Sequence, residues 1–176
     1  MSKEIRAKAF ILEDDNGKVR AVLGMVKNGP GLMLSDENGK VRAGLVVLKD
    51  GTSLMLYDEN DRTRIGLTLL KEGPGLMLYD ENGKLRVGLA VLKDDARLML
   101  LDENGNERTI LSLDEDGPEL TLRDENGEDR ASLSDGPALR LYDENGEERV
   151  ALTVDEDGGP GLSLLDENEK VVWSVP

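Results

Sequence analysis

One stretch of the chain decides the fold: Leu32-Met33-Leu34-Ser35-Asp36-Glu37-Asn38-Gly39-Lys40-Val41-Arg42-Ala43-Gly44-Leu45-Val46-Val47. It reads as a short strand (32–35), a tight turn (36–39) and a longer strand (41–47), after which Lys49-Asp50-Gly51 turns the chain back. The turn residues each have a physical reason. Asp36 can accept hydrogen bonds from the turn's own N–H groups, Asn38 tolerates the bridge and left-handed regions, and Gly39 supplies the positive φ that rejoins a hairpin.

The same turn recurs through the chain. Copies or close variants of Asp-Glu-Asn-Gly occupy 14–17, 36–39, 58–61, 80–83, 102–105, 124–127, 143–146 and 166–169. Their starting residues are spaced by 22 residues five times, then by 19 and 23. The short interval reflects a deletion near Ser132 to Gly136, and the long one an extra glycine at Gly158-Gly159-Pro160. Asp61 and Glu169 stand where the other turns have glycine, and of the two Asp suits left-handed geometry better. A fixed period of this length marks a repeat architecture. The expectation is all-β: eight tandem hairpins, about sixteen antiparallel strands, in a single repeat domain over 1–176.

Alternation assigns the faces. Residues four and two places before each turn Asp are apolar, as in Leu32/Leu34, Leu54/Leu56, Leu76/Leu78 and Leu98/Leu100. Nine places after it stands Leu in seven repeats, including Leu45, Leu67 and Leu89. A four-residue loop puts these residues on one face. A three-residue loop with a bulge would mix the Leu pairs with the arginines, so the four-residue loop is expected. The other face is expected to carry Arg20, Arg42, Arg64, Arg86, Arg108, Arg130 and Arg149, with Val172 at the eighth position, among Met33, Met55, Met77, Met99 and Tyr57, Tyr79, Tyr142. The only Phe, Phe10, and the only Trp, Trp173, fall in the terminal repeats and read as caps.

A lone hairpin is marginal in water, so the Leu face must be covered. The sheet can close into a barrel, coil as a solenoid, or pack with other chains around a shared axis as an elongated prism or triple β-helix. The shared axis is preferred, with a homotrimer as the favoured assembly.

Composition removes several chemistries. There is no Cys and no His, so disulfides, thiolate nucleophiles, zinc sites and Ser-His-Asp triads are excluded. Paired carboxylates crowd the turn tips and aromatics make up only 3%, which does not resemble a sugar-cleaving cleft. No enzyme activity and no cofactor are expected. The net charge of −15 is concentrated in residues 89–176, which carry 24 acidic and 8 basic side chains, against 13 and 14 in residues 1–88. Such a chain repels phosphate backbones, so nucleic acid is not an expected partner. No apolar run is long enough to span a membrane, and the opening Met1-Ser2-Lys3-Glu4-Ile5 has no apolar signal core, so a soluble chain is expected.

The acidic repeats offer calcium candidates at Asp102, Asn104, Asp124, Asn126, Asp143 and Asn145. One turn supplies about three or four oxygens where calcium takes six to eight, so a hairpin turn is the better reading and any cation site a weak one. Asp114-Glu115-Asp116 and Asp155-Glu156-Asp157 read as solvated loops or a patch for a basic partner.

Units such as Gly75-Leu76-Met77-Leu78-Tyr79-Asp80-Glu81-Asn82-Gly83-Lys84-Leu85-Arg86 resemble hairpin repeats of uncharacterised bacterial proteins, and are similar to hairpins of trimeric phage tail-fibre and stalk regions. The closing Lys170-Val171-Val172-Trp173-Ser174-Val175-Pro176 looks like the end of the bacterial group. The regularity also fits a consensus-style or designed sequence. The resemblance implies a structural, self-associating role as stalk, fibre or scaffold, extracellular or virion-associated, with no catalytic residues. The alternatives are a module binding Ca²⁺ or a basic partner through the acidic half, and a closed monomeric barrel or solenoid with its own ligand.

Overall fold

A computed structural model describes residues 4–27, 29–136 and 138–175; the opening Met1–Lys3 and the closing Pro176 lie outside the described residues. It is all-β, with no helix among the described residues. Sixteen antiparallel strands follow one another in chain order in one sheet, and the first and last strands are its two edges, so the sheet is not closed into a barrel. That removes the closed-barrel alternative. The physical reason lies in the repeat: each hairpin pairs only with its sequence neighbours, and nothing brings the two terminal strands together.

The chain divides into two compact units, Met1–Leu85 and Arg86–Pro176. The first holds β1 (Ala9–Glu13), β2 (Val19–Val26), β3 (Gly29–Ser35), β4 (Val41–Leu48), β5 (Gly51–Tyr57), β6 (Thr63–Leu70) and β7 (Pro74–Tyr79). After β8 (Leu85–Leu92), the second holds β9 (Asp95–Leu101), β10 (Glu107–Asp114), β11 (Gly117–Arg123) and β12 (Asp129–Ser134). It ends with β13 (Ala138–Tyr142), β14 (Glu148–Val154), β15 (Pro160–Leu165) and β16 (Val171–Val175).

The turn chemistry is as the sequence implies. Gly17, Gly39, Gly83, Gly105, Gly127 and Gly146 all have positive φ, between 77° and 90°. Asp61 and Glu169 are forced into the same region at φ 62° and 57°. A left-handed backbone costs a residue with a Cβ roughly 1–2 kcal/mol. Glu169→Gly should therefore stabilise the last hairpin by about 1 kcal/mol, read as a raised midpoint in denaturant with an unchanged slope.

The loop itself differs from the expectation. In the first hairpin Gly17 N–H donates to the Asp14 carbonyl at 2.9 Å, and Asp14 N–H donates to the Lys18 carbonyl at 2.9 Å. This is a three-residue loop with a glycine bulge. The register then shifts again: Glu13 pairs with Val19 but Leu12 pairs with Ala21, so Arg20 has no opposite residue. The same second bulge leaves Arg42, Arg64, Arg108, Arg130 and Arg149 unopposed, and Val172 in the last hairpin. A three-residue loop alone would mix the faces. The bulge after it restores the parity, and the Leu residues return to one face.

The pairings display that face directly. Phe10 stands opposite Leu23, Leu32 opposite Leu45, Leu54 opposite Leu67, and Leu89 opposite Leu98. The other face pairs Met33 with Gly44, Met55 with Gly66 and Met99 with Gly88. A side chain at Gly44 would sit 2.9 Å from the Met33 sulfur, so the missing Cβ is where the methionine lies. Tyr79 adds a hydroxyl contact to the Met77 sulfur at 3.3 Å. From β11 onward polar residues enter this strip, with Thr121 opposite Ser132 and the Ser132 and Tyr142 hydroxyls 2.9 Å apart.

Candidate interaction surface

Two features are built by the repeat in each unit: a ladder of turn clasps and an apolar face. In each clasp the turn aspartate does two jobs. Asp14 Oδ1 accepts the N–H groups of Asn16 (2.9 Å) and Lys18 (3.0 Å), and Oδ2 faces the Arg20 guanidinium at 3.4 Å. The bulge projects Arg20 over the turn, and its Nε donates to the Ser35 carbonyl of the next hairpin at 3.1 Å. Arg42 does the same to Tyr57 (3.1 Å), Arg64 to Tyr79 (3.0 Å) and Arg86 to Leu101 (2.8 Å). Arg149 donates to its own Asp143 and to the Asp166 carbonyl. The arginine thus ties its own turn to the backbone of the following one. Lys18, Lys40 and Arg62 add a second tie to the carbonyls of Glu37, Glu59 and Glu81.

The carboxyls of Asp14, Asp36, Asp58, Asp102, Asp124 and Asp143 are held below their ordinary value of 3.8. At Asp14 the Lys18 amide is the largest cause, and at Asp143 the Asn145 amide. At Asp36, Asp58, Asp102 and Asp124 desolvation is the largest single effect and pushes upward, but the turn amides and the arginine together outweigh it.

The calcium candidates sit inside these clasps. Asp102 Oδ1 accepts the Asn104 and Asn106 amides, and Oδ2 accepts Arg108 at 2.8 Å. Asp124 is engaged with Asn126, Glu128 and Arg130, and Asp143 with Asn145, Glu147 and Arg149. Among the described residues no three acidic side chains converge as a metal cluster. A cation at these turns would have to displace an arginine.

The apolar face has no second layer over it. Leu23, Leu67 and Leu133 are 50% exposed, and Leu45, Leu89, Leu111 and Leu152 only slightly less. Of the remaining expected face residues, Leu34, Leu54, Leu56 and Leu100 are exposed, and Leu32, Leu76, Leu78 and Leu98 half-buried. Phe10 and Trp173 lie on this same face in β1 and β16, both exposed. The sequence reading missed its width. A further column joins it, seen in the pairs Met25–Pro30, Val47–Thr52, Leu69–Pro74 and Leu113–Pro118. From Ala9 onward the paired residues of this face carry no charge. Within the second unit, Leu111, Pro118, Leu120, Leu133, Leu139 and Leu152 line an apolar trough of about 550 Å³ on it.

Magnitude decides what the face means. A folded monomer of 19.2 kDa presents about 8,400 Å² by size scaling, whereas this chain presents 12524 Å². Among the described residues only Ile110, Ala138 and Ala151 are buried apolar residues larger than glycine. The excess is of order 4,000 Å², more than a stable partner interface takes from one side.

Set beside family models and characterised proteins, the chain matches none. No helix of the described residues is long and apolar enough to cross a membrane.

Proposed function

We propose that this protein is a non-enzymatic structural repeat protein, a stalk, fibre or scaffold component that assembles by burying its Leu face against other copies of itself. The observation that carries this reading is the uncharged apolar face, several residues wide on strand after strand, with no cover from its own chain. Soluble monomers rarely expose contiguous apolar patches beyond a few hundred Å². The clasps supply stiffness: each hairpin is closed by its own Asp, and Arg20, Arg42, Arg64, Arg86, Arg108 and Arg149 tie theirs to the next. The clasp carboxylates are engaged by their own turn amides and arginines, so the surface left for partners is the Leu face.

Absolute mass in solution tests the reading. Light scattering behind size exclusion should give two or more chain masses, three for a prism around a shared axis, and the complex should persist at high salt because its glue is apolar. A single chain mass across the micromolar range overturns it.

A further inference from the structure

We infer that the Asn-Gly steps in six of the eight clasp turns are sites of covalent self-modification, shut while the clasp holds and open once it opens. At Asn16, Asn38, Asn82, Asn104, Asn126 and Asn145 the next residue is glycine, and each of these asparagines is exposed. Asn28 also precedes a glycine but lies outside the described residues. The chemistry needs only this pair and water. The glycine nitrogen gives up its proton and bonds to the asparagine Cγ, the Cγ–NH2 bond breaks and ammonia leaves, and water opens the resulting imide to aspartate or isoaspartate. Glycine has no Cβ to crowd that nitrogen. At Gly17, Gly39, Gly83, Gly105 and Gly127 nothing but the chain neighbours stands within 4 Å of where a Cβ would be, so water has access.

The clasp blocks the ring. Each of the six glycine N–H groups donates to the carbonyl of its turn Asp at 2.9 to 3.1 Å, which holds the nitrogen and its proton in the turn. No central residue of these turns has a positive φ, and with that hydrogen bond the turn is type I, with ψ about 0° at Asn. Ring closure needs the nitrogen eclipsed with the Asn Cβ, a rotation of about 120° from the type I value by tetrahedral geometry, so it breaks the glycine's hydrogen bond. The other side of the same residue is fixed as well, because the Asn N–H donates to Asp Oδ1 at 2.8 to 2.9 Å. Each conversion adds a negative charge to a chain already at −15. Isoaspartate also adds a methylene to the main chain of the loop, so a turn that has once opened is marked and returns to its clasp with altered spacing.

Peptide mapping by mass spectrometry, with isoaspartate detected by enzymatic methylation, tests this on the full chain at neutral pH. All six sites should convert at least about tenfold faster in urea above the unfolding midpoint than in the folded protein. Asn60 and Asn168, followed by Asp61 and Glu169, should stay slow in both, since a side chain crowds the attacking nitrogen. Asp102→Ala loses the carboxylate that accepts the Asn104 and Asn106 amides and Arg108. In this folded variant conversion at Asn104 should rise about tenfold, while Asn38 in the same molecule keeps its parent rate. Acceleration at all six sites together would report global unfolding, and Arg108→Gln, which removes only the guanidinium, then carries the comparison at Asn104. Equal rates in the folded and unfolded chain, or no rise at Asn104 in either variant, overturn the inference.

Discussion

With Leu45, Leu67 and Leu89 all changed to Asp, the protein should run as a single chain of 19.2 kDa while keeping the circular dichroism of a β-sheet. These three residues lie in β4, β6 and β8 at equivalent places on the apolar face, each paired across the ladder with another Leu. A Leu passing from half-exposed to buried contributes about 1 kcal/mol, half the value for full burial. The substitution removes that gain three times over and adds three carboxylates whose burial without partners costs several kcal/mol each in practice. The sum exceeds a micromolar association energy of about 8 kcal/mol, so assembly is abolished rather than weakened. Leu78→Asp alone, at a half-buried place on the same face, should damage assembly or folding. Glu81→Lys, at a turn tip, should leave both unchanged. Equal tolerance of face and tip substitutions would show that the Leu face is not the glue.

The second large effect is expected at Asp58, the buried member of the clasp ladder. Its Oδ1 accepts the amides of Asn60 and Arg62, and Oδ2 faces Arg64 at 3.6 Å. Asp58→Ala removes all three partners and should lower the unfolding midpoint most. Asp58→Asn keeps an oxygen for the amides but not the charge facing Arg64, and should fall between Ala and the parent. The pH dependence follows from the same carboxyls. Their folded pKa values are depressed, so the unfolded chain binds more protons below about pH 5, and stability falls with decreasing pH there. The contribution is complete above the unfolded value near 3.9 and is lost as pH falls through the folded values. A urea midpoint that is level from pH 5 to 8 and drops steeply below 4 is the expected result. Asp58→Asn should flatten part of the drop. A midpoint that rises on acidification would mean that repulsion among the acidic loops, not the clasps, governs stability.

The residues that made the fold legible are those whose chemistry is local. Period-two alternation of Leu fixed the faces, and the left-handed glycine of six of the eight turns was readable from Asp-x-x-Gly alone. The loop length was not read correctly, because two irregularities offset each other: a loop one residue shorter and an unopposed Arg one residue later leave the same side chains up and down. The signal was present in the Arg that interrupts the apolar alternation just after seven of the eight turns. The clasp ladder was half legible. The Arg six places after the turn Asp stands out in seven repeats, but its reach to the next hairpin's carbonyl depends on where the bulge aims it. The width of the apolar face was missed because its outer column is built partly from Pro30, Pro74 and Pro118, which read as turn residues.

The bulged clasp has a consequence for how such a chain can change length. Every departure from the 22-residue spacing is absorbed in the opposite turns: three residues are lost around Ser134–Ala138, and one is gained where Asp155 accepts Asp157 and Gly159 in a turn of the same design. The arginine asks of its neighbour only a main-chain oxygen, which any amino acid supplies. Tandem duplication or excision of one cassette therefore needs no matching substitution next door, and the array can be lengthened or shortened in steps of two strands, about 10 Å of sheet at a time.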